Sequence, residues 1–228
     1  MARCDNCEAA KNLWRLSLVL CILFLIISCS STRYERYPRT EYGIASWYGS
    51  DFHGKYTSSG EKFNMYAMTC AHRKYPFGSV LKITNVTNNK SIDCIVNDRG
   101  PFVGGRDIDL SYAAARDIGM IGQGTGQVKI EYLGRDEAYI KEVKYLSETG
   151  PFTIQVGAFE ELPNARRLER ALEMRYKHVY ITESLLNGRT FYRVRIGKFL
   201  TREDANNLAR MLADEGYRVL ITRYEEKI

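Results

Sequence analysis

Val156-Gly-Ala-Phe159 recurs forty residues later as Ile196-Gly-Lys-Phe199, and this repeat decides the fold of the C-terminal part of the chain. The pairs Asn164-Ala165 and Asp204-Ala205 follow with the same offset, near the point where each unit should enter a helix. Each unit therefore predicts a strand, a Gly-Phe corner, a helix and a second strand. Two such units in series predict a βαββαβ sandwich of the ferredoxin-like kind, with one sheet beneath two helices.

Alternation along the repeated strands assigns the two faces of this sheet. The residues expected to face the helices are Ile154, Val156, Val194, Ile196, Val219 and Ile221. The residues expected on the open side are Thr153, Gln155, Phe191, Arg193 and Arg195. We predict that Gln155, Arg193 and Arg195 bind a polar polymer. An ordinary solvated face is the alternative.

The region before the repeat, residues 43–134, predicts a compact and mostly β domain. Short strand patterns cover 43–48, 68–72, 80–86, 92–97 and 127–133, separated by Gly, Pro and Asn turns, and one helical pattern covers 111–118. This spacing is typical of a barrel or a sandwich. Residues 135–150 are charged and weakly patterned, so they are predicted to be a linker to the second domain, residues 151–228.

The strongest chemical signal is the stretch 97–111, which reads Asn-Asp-Arg-Gly-Pro-Phe-Val-Gly-Gly-Arg-Asp-Ile-Asp-Leu-Ser. Asp98 ends a predicted strand, where its carboxylate can face a cleft. Asp107 and Asp109 alternate, so they share one side of any extended segment. Acids clustered beside a strand end suit a site that handles protons. The alternative is that Asp98 and Asp109 cap turns and the following helix.

The N-terminus has the pattern of an export signal. Lys11 and Arg15 precede the apolar run 16–27, which is short for a membrane-spanning helix and fits a secretory segment. Ser28 followed directly by Cys29 resembles a bacterial lipobox. We therefore predict a lipoprotein signal over 1–28, lipidation at Cys29 and a tether over 29–42. An ordinary signal peptide or an anchor helix is the alternative.

Two cysteines, Cys70 and Cys94, remain in the predicted folded part. They could form a disulfide in an oxidising envelope. Zinc binding together with His72 is the alternative, although no second ligand pair is present. No metal or cofactor is predicted. The formal net charge is +6 over 228 residues, with arginines interleaved among glutamates, which argues against a nucleic-acid partner.

Several short motifs before the repeat carry a family resemblance. They are Gly43-Ile-Ala-Ser-Trp-Tyr-Gly49, Phe52-His-Gly-Lys-Tyr-Thr57, Ser59-Gly-Glu-Lys-Phe63, Thr69-Cys-Ala-His72, Pro76-Phe-Gly78, Asn97-Asp-Arg-Gly-Pro-Phe102 and Ile108-Asp-Leu-Ser111. The chain resembles rare lipoprotein A, the septal-ring lytic transglycosylases, and its repeat resembles the SPOR peptidoglycan-binding domain. The resemblance implies a double-psi β-barrel over 43–134. It also implies endolytic cleavage of glycan strands that lack stem peptides, with 1,6-anhydro-muramyl products.

The resemblance aligns the important polar positions of the family with Glu61, Asn64, His72 and the Asp98 stretch. We predict Asp98 as the catalytic acid, with Asp109 as a nearby like charge and Glu61 as the second candidate. His72 is expected to orient the carboxylate or to hydrogen-bond the sugar. Many family members carry Asp where this chain has Asn64, which can bind substrate but cannot ionise.

Three aromatic residues, Trp47, Tyr48 and Phe102, offer flat apolar faces to pyranose rings, with core packing as the alternative. The predicted partners are peptidoglycan strands without stem peptides, the membrane through lipidated Cys29, and divisome proteins. The predicted location is the outer membrane, facing the periplasm at the septum. Two other functions stay open, a non-catalytic septal glycan-binding lipoprotein and an expansin-like protein that loosens polysaccharide without cutting it.

Overall fold

A computed structural model describes residues 37–224, which form a closed six-stranded barrel followed by a five-stranded sheet with two helices. The predicted signal, Cys29 and the start of the tether lie outside these described residues. Within 37–224, no helix is both long and apolar enough to cross a membrane.

The barrel consists of short strands whose alternate residues point inward. They are β1 (Thr40–Tyr48), β2 (Thr69–His72), β3 (Ser79–Asn85), β4 (Ser91–Asp98), β5 (Ile108–Ser111) and β6 (Gly126–Arg135). The barrel closes in the order β1-β5-β2-β4-β3-β6, with β1–β5 and β2–β4 parallel and the other pairs antiparallel. Inward residues such as Leu81, Ile83 and Ile130 are fully buried and form the barrel core. Of these six barrel strands, the sequence patterns located all except the four-residue β5.

The α-helix of the barrel domain, α1 (Tyr112–Asp117), follows β5 directly, and a 3-10 helix covers Ser50–Phe52. Ser111 caps α1, because the Ser111 hydroxyl oxygen accepts a hydrogen bond of 3.2 Å from the Ala114 N–H. Asp109 lies within β5, two residues before this cap. The alternative prediction that Asp109 caps the helix is therefore wrong.

Cys70 and Cys94 form a disulfide that joins the parallel neighbours β2 and β4 inside the barrel core. Their Cα atoms are 6.0 Å apart, and both side chains are buried. Because both sulfurs are used in this bond, neither is a thiolate that could bind zinc. The disulfide prediction replaces the zinc alternative.

The C-terminal domain has the predicted βαββαβ order. Its elements are β8 (Phe152–Phe159), α2 (Leu162–Glu173), β9 (Val179–Leu186), β10 (Arg189–Phe199), α3 (Arg202–Asp214) and β11 (Val219–Arg223). All six residues expected to face the helices are buried in the core. The hydrophobic alternation therefore located this core correctly.

The segment predicted as a linker is folded. A 3-10 turn covers Glu137–Tyr139, and β7 (Val143–Tyr145) pairs in parallel with β11, giving the sheet order β7-β11-β8-β10-β9. The Lys141 N–H also donates a hydrogen bond of 3.1 Å to the Ala213 carbonyl. Within the predicted linker, residues 143–145 therefore add a strand to the sheet of the C-terminal domain.

The barrel and the C-terminal domain share a small buried core. The Phe77 ring lies 4.9 Å from the Tyr217 ring, and the Phe77 N–H donates to the Glu215 carbonyl. The Arg99 guanidinium stacks on Phe77, with 3.8 Å between its central carbon and the ring centroid. All four side chains are buried. This core fixes the position of the C-terminal domain against the end of β4.

Candidate active site

Asp98, the last residue of β4, holds its carboxylate in a fixed position. Its Oδ1 accepts hydrogen bonds of 2.8 Å from the N–H groups of Ser58 and Arg99. The residue is only 3% exposed. Because both backbone N–H groups bind Oδ1, the Oδ2 atom is the one that faces other groups.

Asp109 lies on the same barrel face as Asp98. Ala71 of β2 is in register with Asp98 on one side and with Asp109 on the other, so both carboxylates project from the same face. Burial raises the pKa of Asp109, the Arg106 guanidinium at 3.4 Å opposes this shift, and the negative charge of Asp98 adds to it. The two acids therefore interact electrostatically, as the spacing of the stretch predicted.

Tyr48 completes this cluster. Burial, and then the negative charges of Asp98 and Asp109, raise the pKa of Tyr48 well above its ordinary value. The phenol therefore stays protonated beside two carboxyl groups, and its ring stacks on Phe63 at 4.3 Å. Asp98, Asp109 and Tyr48 therefore form one cluster of neighbouring titratable groups at this face of the barrel.

The other two predicted aromatic residues differ in their surroundings. Trp47 packs edge-on against Tyr112, with 5.8 Å between ring centroids, and is half-buried. Phe102, four residues after Asp98, leaves 38% of its surface exposed. Phe102 therefore keeps part of its ring accessible beside Arg170, whereas much of the Trp47 ring is used in packing.

Glu61 is held next to the strand end by the residue that precedes Asp98. Its Oε2 accepts a hydrogen bond of 2.9 Å from the Asn97 side-chain amide. The Tyr139 hydroxyl also hydrogen-bonds Glu61, and burial together with this contact raises the pKa of Tyr139. Glu61 thus links the strand that carries Asp98 to the segment that follows the barrel.

His72 does not orient the carboxylate of Asp98, so that alternative is wrong, and the alternative that His72 hydrogen-bonds the sugar stays a prediction. Ala71 is the residue in register with Asp98, which turns the His72 side chain to the opposite face. The His72 Nδ1 accepts hydrogen bonds from the N–H groups of Lys74 and Tyr75, and its Nε2 lies 3.7 Å from Glu41. Burial, followed by the positive charge of Arg99, lowers the pKa of His72 to about 3. A neutral imidazole therefore supports the turn after β2.

Asn64 lies in an exposed turn. Its side-chain oxygen accepts a hydrogen bond of 3.0 Å from the Tyr66 N–H, and its carbonyl accepts one of 3.0 Å from the Ala67 N–H. An aspartate would make the same side-chain contact. The exposed amide remains available to a ligand.

The open face of the C-terminal sheet lines a cavity of about 360 Å³ that includes Gln155, Phe191 and Arg193. Arg195 was expected on this open side, but it is only 2% exposed. Tyr180 on the neighbouring strand β9 hydrogen-bonds both Arg195 and the buried Thr153, and so covers them. Arg195 is therefore part of the floor of this face and not an exposed cation, which corrects the prediction.

A larger cavity, of about 1000 Å³, lies between the barrel and the C-terminal sheet. The loop Tyr56 to Gly60 forms one wall, and Gln155 and Phe191 form part of the other. These two residues also line the smaller cavity, so the two spaces adjoin along the sheet. The Ser58 N–H, in the barrel wall, binds Asp98. The larger cavity therefore reaches the loop whose Ser58 N–H binds Asp98.

Comparison with known proteins identifies both domains. Residues 40–130 match the double-psi barrel family described as lytic transglycolase, and residues 148–223 match the SPOR domain family. The chain belongs to the RlpA family. The endolytic peptidoglycan transglycosylase RlpA of Vibrio cholerae serotype O1 is 39% identical over 178 residues, which are 78% of this chain and 66% of that protein. The fold is therefore a double-psi β-barrel followed by a SPOR domain, as the sequence motifs implied.

Two further relatives carry the same name. RlpA of Helicobacter pylori strain J99 is 38% identical over 186 residues, covering 72% of this chain and 59% of that protein. RlpA of Neisseria meningitidis serogroup A is 52% identical over 94 residues, covering 41% of this chain and 39% of that protein. The chain spans less than two thirds of the length of each of these three relatives.

Sequence reasoning missed Arg167, which the SPOR helix α2 places over Asp98. The Arg167 Nη1 lies 3.8 Å from the Asp98 Oδ2, and its Nη2 donates a hydrogen bond to the Tyr56 carbonyl. Its guanidinium carbon also lies 5.8 Å from the Phe52 ring centroid. The only local signal is the basic character of α2, which places Arg166, Arg167 and Arg170 within two turns. Which of these arginines meets the barrel depends on how the domains dock.

Proposed function

We propose that this RlpA-family chain is a lytic transglycosylase that cleaves peptidoglycan glycan strands lacking stem peptides. The bond cut is the one between N-acetylmuramic acid and N-acetylglucosamine, and the product ends in a 1,6-anhydro-muramyl ring. The observation that carries this proposal is the cluster of Asp98, Asp109 and Tyr48 on one face of a barrel from a transglycosylase family. The names of the curated relatives support the same activity.

In the proposed mechanism, Asp98 acts first as an acid and then as a base. Its protonated carboxyl donates a proton to the bridging oxygen, and the bond from muramyl C1 to that oxygen breaks to give an oxocarbenium-like sugar. The C6 hydroxyl of the same sugar then attacks C1, and its proton returns to Asp98. No water is consumed, so one carboxyl group can serve both steps.

The neighbouring groups support this cycle. Asp109 places a second carboxyl group on the same face as Asp98, and burial raises the pKa of Asp109. The neutral Tyr48 phenol can donate a hydrogen bond to a carboxylate or to a sugar oxygen. Glu61 is the second candidate acid, and its bond to Asn97 also suits it to hold the end of β4 in place.

The SPOR domain supports binding of the glycan in the cell wall. We propose that its open face, with Gln155, Phe191 and Arg193, holds a strand that continues toward the barrel. Lipidation of Cys29, anchoring in the outer membrane, a septal location during cell division and contacts with divisome proteins are parts of the same proposal. They rest on the sequence resemblance.

Product analysis tests the activity. Peptidoglycan sacculi stripped of stem peptides by an amidase are digested with the purified chain, and the products are identified by mass spectrometry. We expect anhydro-muramyl ends from the parent and none from Asp98→Asn, whose amide oxygen can still accept both backbone hydrogen bonds. The matched control is Asp117→Asn, which changes a partly exposed acid on α1 and should cleave like the parent.

Two outcomes would contradict the proposal in different ways. Parent-like cleavage by Asp98→Asn would show that another group is the acid, and Glu61→Gln would then be tested in the same assay. Intact strands after digestion with the parent would favour the second candidate, a glycan-binding protein without cleavage. Asn64 favours that candidate, because an amide cannot ionise at a position where the family resemblance implies aspartate.

A further inference from the structure

The SPOR domain contributes a cation to the barrel site. Arg167 of α2 lies beside the Asp98 Oδ2 and is itself only partly exposed, with 17% of its side chain accessible. Its contacts with the Tyr56 carbonyl and the Phe52 ring are both on the barrel. Arg167 is thus part of the surface that a substrate of Asp98 must meet.

The position of Arg167 opposes the proposed role of Asp98 as a proton donor. A guanidinium beside a carboxyl group stabilises the charged form, whereas donation of a proton requires the neutral form. The Arg167 guanidinium must therefore turn to another anion before Asp98 can act. The contact at 3.8 Å is long for a hydrogen-bonded ion pair, so an exchange of partners is energetically feasible.

A glycan strand without stem peptides supplies such an anion. The stem peptide is joined by an amide to the lactyl group of N-acetylmuramic acid, and its removal leaves a free carboxylate at that position. An arginine can bind a carboxylate with two parallel hydrogen bonds. We propose that Arg167 binds the free lactyl carboxylate of the substrate, and that this contact selects strands without stem peptides. The inference rests on the proposed function.

The surroundings of Arg167 are consistent with this role. Arg170, one turn further along α2, lies with its guanidinium carbon 5.9 Å from the centroid of the exposed Phe102 ring. This face of α2 therefore offers two cations beside aromatic side chains on which sugars can stack. Arg166 has a different environment, because it pairs with Glu169 on its own helix at 2.9 Å.

The buried core between the two domains makes this geometry reproducible. The Arg99, Phe77 and Tyr217 contacts hold the SPOR domain, and α2 with it, against the barrel. The lactyl carboxylate would take the guanidinium away from Asp98 and expose its Oδ2 to the sugar. The freed Asp98 carboxylate then takes up a proton from water and donates it to the bridging oxygen, so recognition of the correct strand precedes protonation of the acid.

Three substrates of the same strand length test the inference. They are stem-free strands, stem-free strands whose lactyl carboxylates have been converted to neutral methylamides, and strands that keep their stem peptides. For the parent we expect kcat/KM to be higher on the free carboxylate than on the methylamide by about tenfold or more, the size of one charge-assisted hydrogen-bonded contact. Arg167→Gln should lose this preference, because its kcat/KM on the free carboxylate strand should fall.

Matched variants separate the charge from the fold. Arg166→Gln removes a neighbouring cation on the same helix and should keep the parent preference. Arg167→Lys keeps the charge without the planar fork and should restore part of the preference. Equal thermal unfolding temperatures for the parent and the three variants would confirm that the fold is unchanged.

A binding measurement separates this inference from the proposed cleavage. In the Asp98→Asn background, affinity for the free carboxylate strand should exceed affinity for the methylamide strand, and Arg167→Gln should remove the difference. That result would support the carboxylate contact even if the parent cuts nothing, in which case only the proposed function fails. The inference is overturned if Arg167→Gln keeps the parent preference in both assays. It is also overturned if Arg167→Gln cuts all three substrates faster, because Arg167 would then be only a cover over Asp98.

Discussion

Arg99, directly after β4, donates a hydrogen bond of 2.8 Å from its Nε to the hydroxyl oxygen of Tyr217 in the SPOR domain. Both side chains are buried, so the barrel and the SPOR domain are joined by a charge-assisted hydrogen bond that water does not reach. Asp98 is the residue before Arg99. The contact between the domains and the candidate acid therefore share one strand end.

Tyr217→Phe should lower the free energy of unfolding by about 1.5–3 kcal/mol, because a buried charged donor loses its acceptor. Urea unfolding of the purified chain measures this change. Tyr42→Phe is the matched control, since Tyr42 is 65% exposed and its hydroxyl should contribute little. A stability for Tyr217→Phe equal to that of Tyr42→Phe would contradict a tight domain interface.

Gly216→Ala should also destabilise the chain, by about 1–3 kcal/mol. Gly216 has a φ of 95°, and an added Cβ would lie 2.9 Å from the Phe77 Cβ and 3.0 Å from the Tyr139 carbonyl. Gly122→Ala is the control, because nothing lies within 4 Å of a Cβ at that position. Parent-like thermal unfolding of Gly216→Ala would show that the domains do not pack as closely as described.

His72 should make stability depend on pH. The pKa of His72 is lowered from 6.5 to about 3 in the folded chain, so the unfolded chain takes up the proton first as the pH falls. The stability that neutral His72 contributes is complete above about pH 6.5, and it declines toward pH 3 by about 1.4 kcal/mol per pH unit.

Urea unfolding of His72→Gln between pH 6.5 and pH 4.5 tests this dependence. The variant should show a shallower loss of stability than the parent over this interval. His178→Asn replaces an exposed histidine at a φ of 57°, which asparagine tolerates, and should keep the parent slope. Identical slopes for the parent and His72→Gln would mean that His72 is not held neutral by burial.

Arg193 and Arg195 should behave differently although both were predicted as glycan contacts. Arg193→Ala should weaken binding of the chain to sacculi by about threefold or more, because it removes an accessible cation from the open face. Arg195→Ala should instead lower the free energy of unfolding by about 2–4 kcal/mol, since it empties a buried site and removes a partner of Tyr180. Pelleting with sacculi and urea unfolding measure the two effects. Weaker binding by Arg195→Ala at unchanged stability would contradict its burial.

Local pattern was sufficient for most of the fold. The forty-residue offset specified the βαββαβ order, and alternation located core residues such as Ile154 and Val194. The alternation pattern did not reveal β5. This strand has only four residues between a glycine turn and a helix cap, which is too short for a recognisable alternation. The pattern also failed for Arg195, whose burial depends on Tyr180 from a neighbouring strand.

Local spacing also predicted part of the candidate site. Asp98 and Asp109 lie close in the chain and end on the same face, so spacing alone could bring them together. His72 was placed wrongly, because the bulge between β2 and β4 determines which residue is in register with Asp98. Arg167 belongs to another domain, and only the docking of that domain brings it to the barrel.

The shared core between the domains has a consequence for how a strand would be processed. The SPOR face and Asp98 are held at a constant separation. Under the proposed function, a glycan bound to the SPOR face would be cut at a set number of sugars from its binding site. The protein would then set the length of the fragments as well as cut the strand. Fragment lengths would record the dimensions of the protein instead of a random choice of bond.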